Sequence, residues 1–401
     1  MRSRLRIPGA FLLAGSGLFN FASGGYAIAL GQGLFEATGS ISAFTAVVIV
    51  EYLGPIVLAV AAGSLSDRIN AALLCMWSAL LAAISVSVYL IVPGSVAVGA
   101  VVLGIVINIL RPFYRAGIFA AGARSIDPAD LSQYNLRWTV SVQAGQILGG
   151  AASGFVLSSG GVNASLAVVA GAFGLSSVAL AFARFGIASL PDSGNAEKFG
   201  WIRLFRAIAG EPRRCIALLL IGADFVTIST FTVALAPLVE RVFVDLLWLG
   251  ILDALFALGA GGVALIGFGD RSSEYSLRKG ISHGYLAQIV ALVIVVLGIV
   301  TSAQGRLVIC IGAVILGAGV AISSSQQITI LQRDGTGGDV GKIGALRQAI
   351  IGVVTILALP VVGIALGASL PAGYLLVGVF LLVCLGVNVW LLRGSSSCSN
   401  S

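Results

Sequence analysis

Long apolar stretches alternate with short polar ones along the whole chain, and the apolar stretches recur at the length that a lipid bilayer dictates. A helix crossing the membrane needs about 20 largely apolar residues. Twelve stretches meet that requirement: 10–33, 43–63, 71–92, 95–120, 136–158 and 162–188, then 214–238, 246–268, 281–302, 305–330, 343–367 and 370–392. Six lie on each side of the longest polar stretch, Pro191 to Arg214. The pattern predicts an all-α membrane protein of twelve transmembrane helices in two six-helix pseudo-repeats. An N-terminal bundle covers 1–190, a cytoplasmic linker 191–213, a C-terminal bundle 214–393 and a tail 394–401. Within the linker, Trp201, Leu204, Phe205 and Ile208 share one helical face and basic residues the other. That predicts a short helix lying on the membrane surface, or one that docks a partner.

Composition excludes a soluble fold. Of the 401 residues 58% are hydrophobic and 10% charged, against about 25% charged in soluble domains. The 53 glycines suit helices that pack closely inside a membrane. The net charge of +7 does not point to nucleic acid, because the basic residues stand singly between apolar stretches and form no basic and aromatic patch. Their placement reports topology instead. With the amino terminus inside, 20 of the 23 lysines and arginines are cytoplasmic, Arg241 and Arg306 are outside, and Arg111 lies in the fourth span. Both termini and the linker are therefore expected on the cytoplasmic side of a bacterial inner or plasma membrane. The start Met1 to Arg6 followed by an apolar run resembles a signal peptide with Ala22-Ser23-Gly24 as cleavage region, but removing it would spoil the two-fold pattern.

The five cysteines show no paired spacing and read as packing residues. With one histidine, His283, at the cytoplasmic start of the ninth span, no metal site or cofactor is expected. No nucleotide-binding loop is present, which leaves the proton gradient as the energy source.

The two halves correspond in detail. Gly63-Ser64-Leu65-Ser66-Asp67-Arg68 stands between the second and third spans, and Gly267-Phe268-Gly269-Asp270-Arg271 between the eighth and ninth. Asn135-Leu136-Arg137 opens the fifth span as Ala345-Leu346-Arg347 opens the eleventh. The Gly-x-Leu-x-Asp-Arg turn, its second copy and the twelve spans resemble the major facilitator superfamily. That resemblance implies two parallel six-helix repeats around a midplane substrate site. It also implies a conformational latch at Gly63, Asp67, Arg68, Asp270 and Arg271, in which the aspartate braces neighbouring helix ends and helps hold the outward-facing state. Asn70, Ala71 and Ala72 stand where the family continues with glycine and basic residues, which weakens the expected charge of the latch.

In the fifth span, Gly145, Gly149 and Gly154 fall where exporters of this superfamily carry their antiporter signature, with Gly150 at the expected proline and Ser153 at the first paired glycine. Pro360 precedes Val361-Val362-Gly363 in the eleventh span. These residues are read as a helix-packing pivot, since glycine lets backbones approach and proline weakens a helix locally; generic small-residue packing is the other reading. Arg111-Pro112-Phe113-Tyr114 with Asn135 is similar to the branch holding proton-driven drug pumps and siderophore exporters.

Charges inside the membrane are costly unless paired or wetted, so they mark function. Asp224, Glu51 and Asp253 are the candidates for proton coupling, Asp224 foremost. Arg111 is a counter-charge or anion-binding group. Asn20, Tyr26, Asn108, Gln143, Gln146, Gln326 and Gln327 are substrate-binding candidates by polarity and place; bonding between helices is the alternative for most of them. The expected activity is export of a small organic molecule, a siderophore, antibiotic or similar metabolite, by proton antiport in a monomer, with protons, the substrate and the lipid bilayer as partners. A nutrient symporter and a non-transporting sensor are the alternatives. Gly267-Phe268-Gly269-Asp270 also matches the Gly-x-Gly-Asp of intramembrane aspartyl proteases, but Asp270 sits at a helix end rather than inside the bilayer, so no enzymatic activity is expected.

Overall fold

The computed structural model describes residues 7–38, 41–92, 96–186, 201–210, 212–243, 245, 247–266, 273–301, 305–334 and 339–396. Every regular element among them is helical. In chain order these are α1 Ile7–Thr38, α2 Ile41–Arg68, α3 Ala71–Ile91, α4 Val96–Ser125, α5 Leu131–Ala183, α6 Trp201–Ala209, α7 Pro212–Leu219, α8 Ile221–Leu238, α9 Leu247–Ile266, α10 Glu274–Val300, α11 Gly305–Asp334, α12 Val340–Ala368 and α13 Leu370–Ser396. A 3-10 turn, Arg184–Gly186, follows α5, and a π turn, Val239–Phe243, follows α8.

Ten stretches among the described residues are long and apolar enough to cross a membrane by length and composition. One of them is all of α5, whose 53 residues would extend about 80 Å as one helix, far beyond a hydrocarbon core of about 30 Å. Gly161, at φ 74°, breaks it. Glycine alone adopts that conformation without steric cost, and the break falls between the fifth and sixth predicted spans. The second predicted span is α2. The seventh is divided into α7 and α8 at Leu220, whose carbonyl accepts the Ala223 N–H at 3.1 Å, and α8 carries Pro237 as its penultimate residue, just ahead of the π turn. Asn70 finds a local task in the turn after α2: its side chain caps α3, accepting the N–H groups of Ala72 and Leu73 at 3.0 and 3.2 Å, as short polar side chains do at helix starts.

The chain divides into two compact units. The first comprises 1–134, 141–201 and 332–352; the second comprises 135–140, 202–331 and 353–401. In the first, Phe19 of α1 stacks on Tyr114 of α4 with ring centroids 3.5 Å apart, and Phe173 of α5 meets Phe19 edge-on. Ala345, near the start of α12, packs there with Ala59 and Ala62 of α2 and Ala116 of α4. In the second, an apolar core runs through α8, α9, α10, α11 and α13 around Phe231, Phe256, Tyr285, Leu316 and Tyr374. Leu136, near the start of α5, packs there with Ala260 and Val263 of α9 and Ala321 and Ile322 of α11. The two small clusters are repeat images: the starts of the fifth and eleventh spans, matched by sequence, occupy matched places.

Candidate functional site

Asp224 lies in the first turn of α8 and is 1% exposed. Its Oδ1 accepts hydrogen bonds from Gln288 Nε2 of α10 at 2.8 Å and from Ser323 Oγ of α11 at 2.7 Å. Gln288 Nε2 also donates to Ser323 Oγ at 2.9 Å, so the three groups close a triangle in the interior of the second unit. One helical turn away, Tyr285 OH donates to the Leu220 carbonyl at 2.9 Å, and Gln327 Nε2 donates to Tyr285 OH at 2.7 Å. The carbonyl at the break between α7 and α8 is thereby held by the same two helices that hold Asp224. Gln288, Ser323 and Tyr285 were not singled out from the sequence. The signal was present in spacing: Tyr285 and Gln288 are three apart, Ser323 and Gln327 four apart, which places each pair on one helix face.

In the first unit, Arg111 of α4 is 5% exposed. Its Nη1 donates to Asn108 Oδ1 at 3.2 Å, and its guanidinium lies over the ring of Tyr26 in α1, 5.5 Å from the centroid. Three sequence candidates therefore converge. Burial at this depth is not the snorkelling that a lone membrane arginine adopts. Asn20 Nδ2 donates to the Ser16 carbonyl of its own helix at 2.8 Å. Gln143 is half-buried and Gln146 exposed on α5, while Gln326 and Gln327 are buried in α11. Asp253 is half-buried on α9. Glu51 belongs to α2, but its side chain lies outside the described residues, as do Asp270 and Arg271.

The geometry of a helix start explains the turn around Asp67. The first N–H groups of an α-helix have no partner within it and favour a negative charge. Asp67 Oδ1 accepts the Gly341 N–H at 2.7 Å and Oδ2 the Lys342 N–H at 3.1 Å, both at the start of α12. Arg124 at the end of α4 pairs with Oδ1 at 2.7 Å and donates to the Ser66 carbonyl at 2.8 Å. Lys342 Nζ lies 3.6 Å from Oδ2 and also pairs with Asp339. Arg68, the sequence candidate beside Asp67, is exposed instead. Burial raises the Asp67 carboxyl above its ordinary range, with the Gly341 N–H, Arg124, Lys342 and the Lys342 N–H pulling it back. Gly63 sits one turn earlier, where a Cβ would come within 2.8 Å of the Lys342 Cα and of the Trp201 ring. The Trp201 indole donates to Ser64 Oγ at 2.8 Å, so the first residue of α6 rests on the same turn.

Of the pivot glycines, Gly145 and Gly149 face α1, where an added Cβ would overlap the carbonyls of Gly17 and Phe21. Gly150 has only Ile28 at 3.8 Å, and Gly154 has nothing within 4 Å. Ser153, in place of a glycine of the exporter pattern, donates to the Gly25 carbonyl at 2.9 Å and pairs with Ser165. Pro360 is exposed on α12.

Residues 12–337 match the sequence profile of the Major Facilitator Superfamily. Comparison with curated proteins gives no match. Among solved structures, the fold is similar to a bacterial homologue of the iron transporter ferroportin in an outward-facing state, at a TM-score of 0.71 and 14% identity over 96% of this chain and 99% of that one. It is similar to the human organic anion transporter TETRAN at 0.72 and 15%, over 96% and 99%. The Escherichia coli fucose:proton symporter is matched at 0.67 and 13%, over 96% and 98%. Among the described residues no group of three or more histidine, cysteine or acidic side chains is placed to hold a metal ion.

Proposed function

Since the chain belongs to the major facilitator superfamily, we propose that it is a secondary active transporter that exports a small organic molecule in exchange for protons, with Asp224 as the coupling carboxylate. The observation that carries this reading is a carboxylate 1% exposed, in the interior of an apolar unit, held by the neutral side chains of Gln288 and Ser323. A carboxylate so placed is costly as an anion, so proton binding and release at Asp224 is a step with a large energetic consequence. Alternating access then exposes the site to either side of the membrane in turn.

The substrate class is read from Arg111. A buried guanidinium with Asn108 beside it and the Tyr26 ring beneath it suits an anionic group on an otherwise apolar molecule, since planar arginine matches carboxylate and stacks on aromatic faces. A siderophore, an anionic antibiotic or a similar metabolite meets that description. The solved relative named as an organic anion transporter agrees with it. The export direction rests on the glycines of α5, of which Gly145 and Gly149 meet α1. The departure at Ser153, which replaces a glycine contact by a hydrogen bond, favours the second reading, a proton symporter that imports a nutrient.

The test compares small molecules inside cells and in the medium with and without the gene, repeated with a protonophore. Export predicts one compound that builds up inside on loss of the gene, with the protonophore mimicking the loss. Accumulation outside instead marks an importer. With that compound in proteoliposomes, Asp224→Asn should abolish gradient-driven transport and leave substrate exchange largely intact; undiminished active transport in the variant would sink the assignment of Asp224.

A further inference from the structure

The surroundings of Asp224 allow the reading above, on which this step rests, to be taken further. Asp224, Gln288 and Ser323 are 1%, 0% and 0% exposed, and their hydrogens can be counted. The Gln288 amide supplies one N–H to Asp224 Oδ1 and one to Ser323 Oγ. Ser323 has a single O–H, and its Oγ lies 2.7 Å from Asp224 Oδ1, 3.0 Å from the Gly319 carbonyl and 3.3 Å from the Val320 carbonyl. That proton therefore has two uses, the carboxylate or a carbonyl of its own helix. A charged acceptor draws it more strongly than a neutral one, since hydrogen bonds to ionised groups are about twice as strong. Both donors thus favour the ionised form of Asp224 over the protonated form.

We infer that Gln288 and Ser323 are positioning residues that set the proton affinity of Asp224 through the two hydrogen bonds they donate to its Oδ1. Among the described residues, other titratable side chains stand on the helices around it. Tyr285 of α10 and Cys384 of α13 face it and carry no charge at neutral pH. On α10, His283 and Lys279 are exposed, and Arg278 is bound to Glu274 at 2.6 Å, about 15 Å along the helix from Gln288. Asp253 is the one acidic residue of α9, and Arg306 at the far end of α11 donates to the Val242 carbonyl.

The test needs no substrate. Full-length protein is reconstituted in phosphatidylcholine and phosphatidylglycerol vesicles, and the carbonyl stretch of its protonated carboxyl groups is followed by infrared difference spectroscopy as pH is varied. The component missing from Asp224→Asn reports Asp224. Ser323→Ala and Gln288→Met each remove donors while nearly keeping volume, and each should move the midpoint of that component upward by about one pH unit. Together they should move it further. A purely structural role would lower thermal stability and leave the midpoint in place. An unmoved or acid-shifted midpoint in folded Ser323→Ala and Gln288→Met overturns the inference while the assignment of Asp224 stands. Should Asp224→Asn remove no titrating component, the assignment itself falls.

Discussion

Two carboxylates show how a residue type acquires a role from its partners. Asp67 and Asp224 are both nearly hidden from solvent, but Asp67 meets two cations and two helix N–H groups, whereas Asp224 meets an amide and a hydroxyl. Asp67→Asn keeps the shape and strands Arg124, whose side chain is 17% exposed; a loss of about 1–3 kcal/mol is expected, read by thermal unfolding in detergent. The loss has a defined pH dependence. Because burial holds the folded-state pKa of Asp67 above 3.8, the folded protein binds this proton more tightly than the unfolded chain does. The stabilisation tied to that proton is complete below the unfolded value and is lost as pH rises through the folded one. The stability advantage of the wild type over Asp67→Asn should therefore narrow as pH rises across that window. An advantage that widens instead would show that Arg124 and Lys342 outweigh burial. Neither cation was legible beside Asp67 in the sequence, where Arg68 was the neighbour and so the obvious partner.

Among the elements, the four glycines of the fifth span form a stripe that predicts a pivot, and their surroundings differ. Gly145 and Gly149 lie where α5 crosses α1 backbone to backbone, whereas Gly150 and Gly154 do not. Gly149→Ala should cost about 1–3 kcal/mol by overpacking, while Gly154→Ala should be neutral or stabilising by up to about 1 kcal/mol, since alanine favours the helix. Comparable melting temperatures for the two variants would contradict this sorting. The same glycine count could not distinguish them, because hydropathy and spacing record that a helix has a small-residue stripe and not which part of it meets a neighbour. The break at Leu220 was hidden for a related reason: α7 and α8 read as one continuous apolar span, and the interruption depends on Tyr285 and Gln327 holding a carbonyl from other helices.

For the whole molecule, the distribution of lysine and arginine predicts an orientation in the membrane that can be mapped. A single cysteine at position 241, on a cysteine-free background, should react with a membrane-impermeant maleimide added outside intact cells, and one at position 68 should react only after permeabilisation. The reverse result would invert the protein in the membrane and with it the direction assigned to export. The two small clusters around Leu136 and Ala345 carry the two-fold repeat into packing. Their polar surroundings differ: Asn135 donates to Thr329 near the first at 2.9 Å, while the ion pairs of Asp67 lie near the second.

The helical class, the spans and the repeat were legible in the chain alone, because a bilayer imposes length and hydropathy on each segment separately and leaves that demand written locally. The chain also pointed to Asp67, Asp224 and Arg111, because a charge beside or within an apolar segment is costly wherever it lies. What each of them meets depends on the packing of the helices. Arg124 is 57 residues from Asp67 and Lys342 is 275, and Gln288 and Ser323 are 64 and 99 from Asp224. Partners at such separations are chosen by how whole helices pack, a property of many side chains together that no local pattern contains.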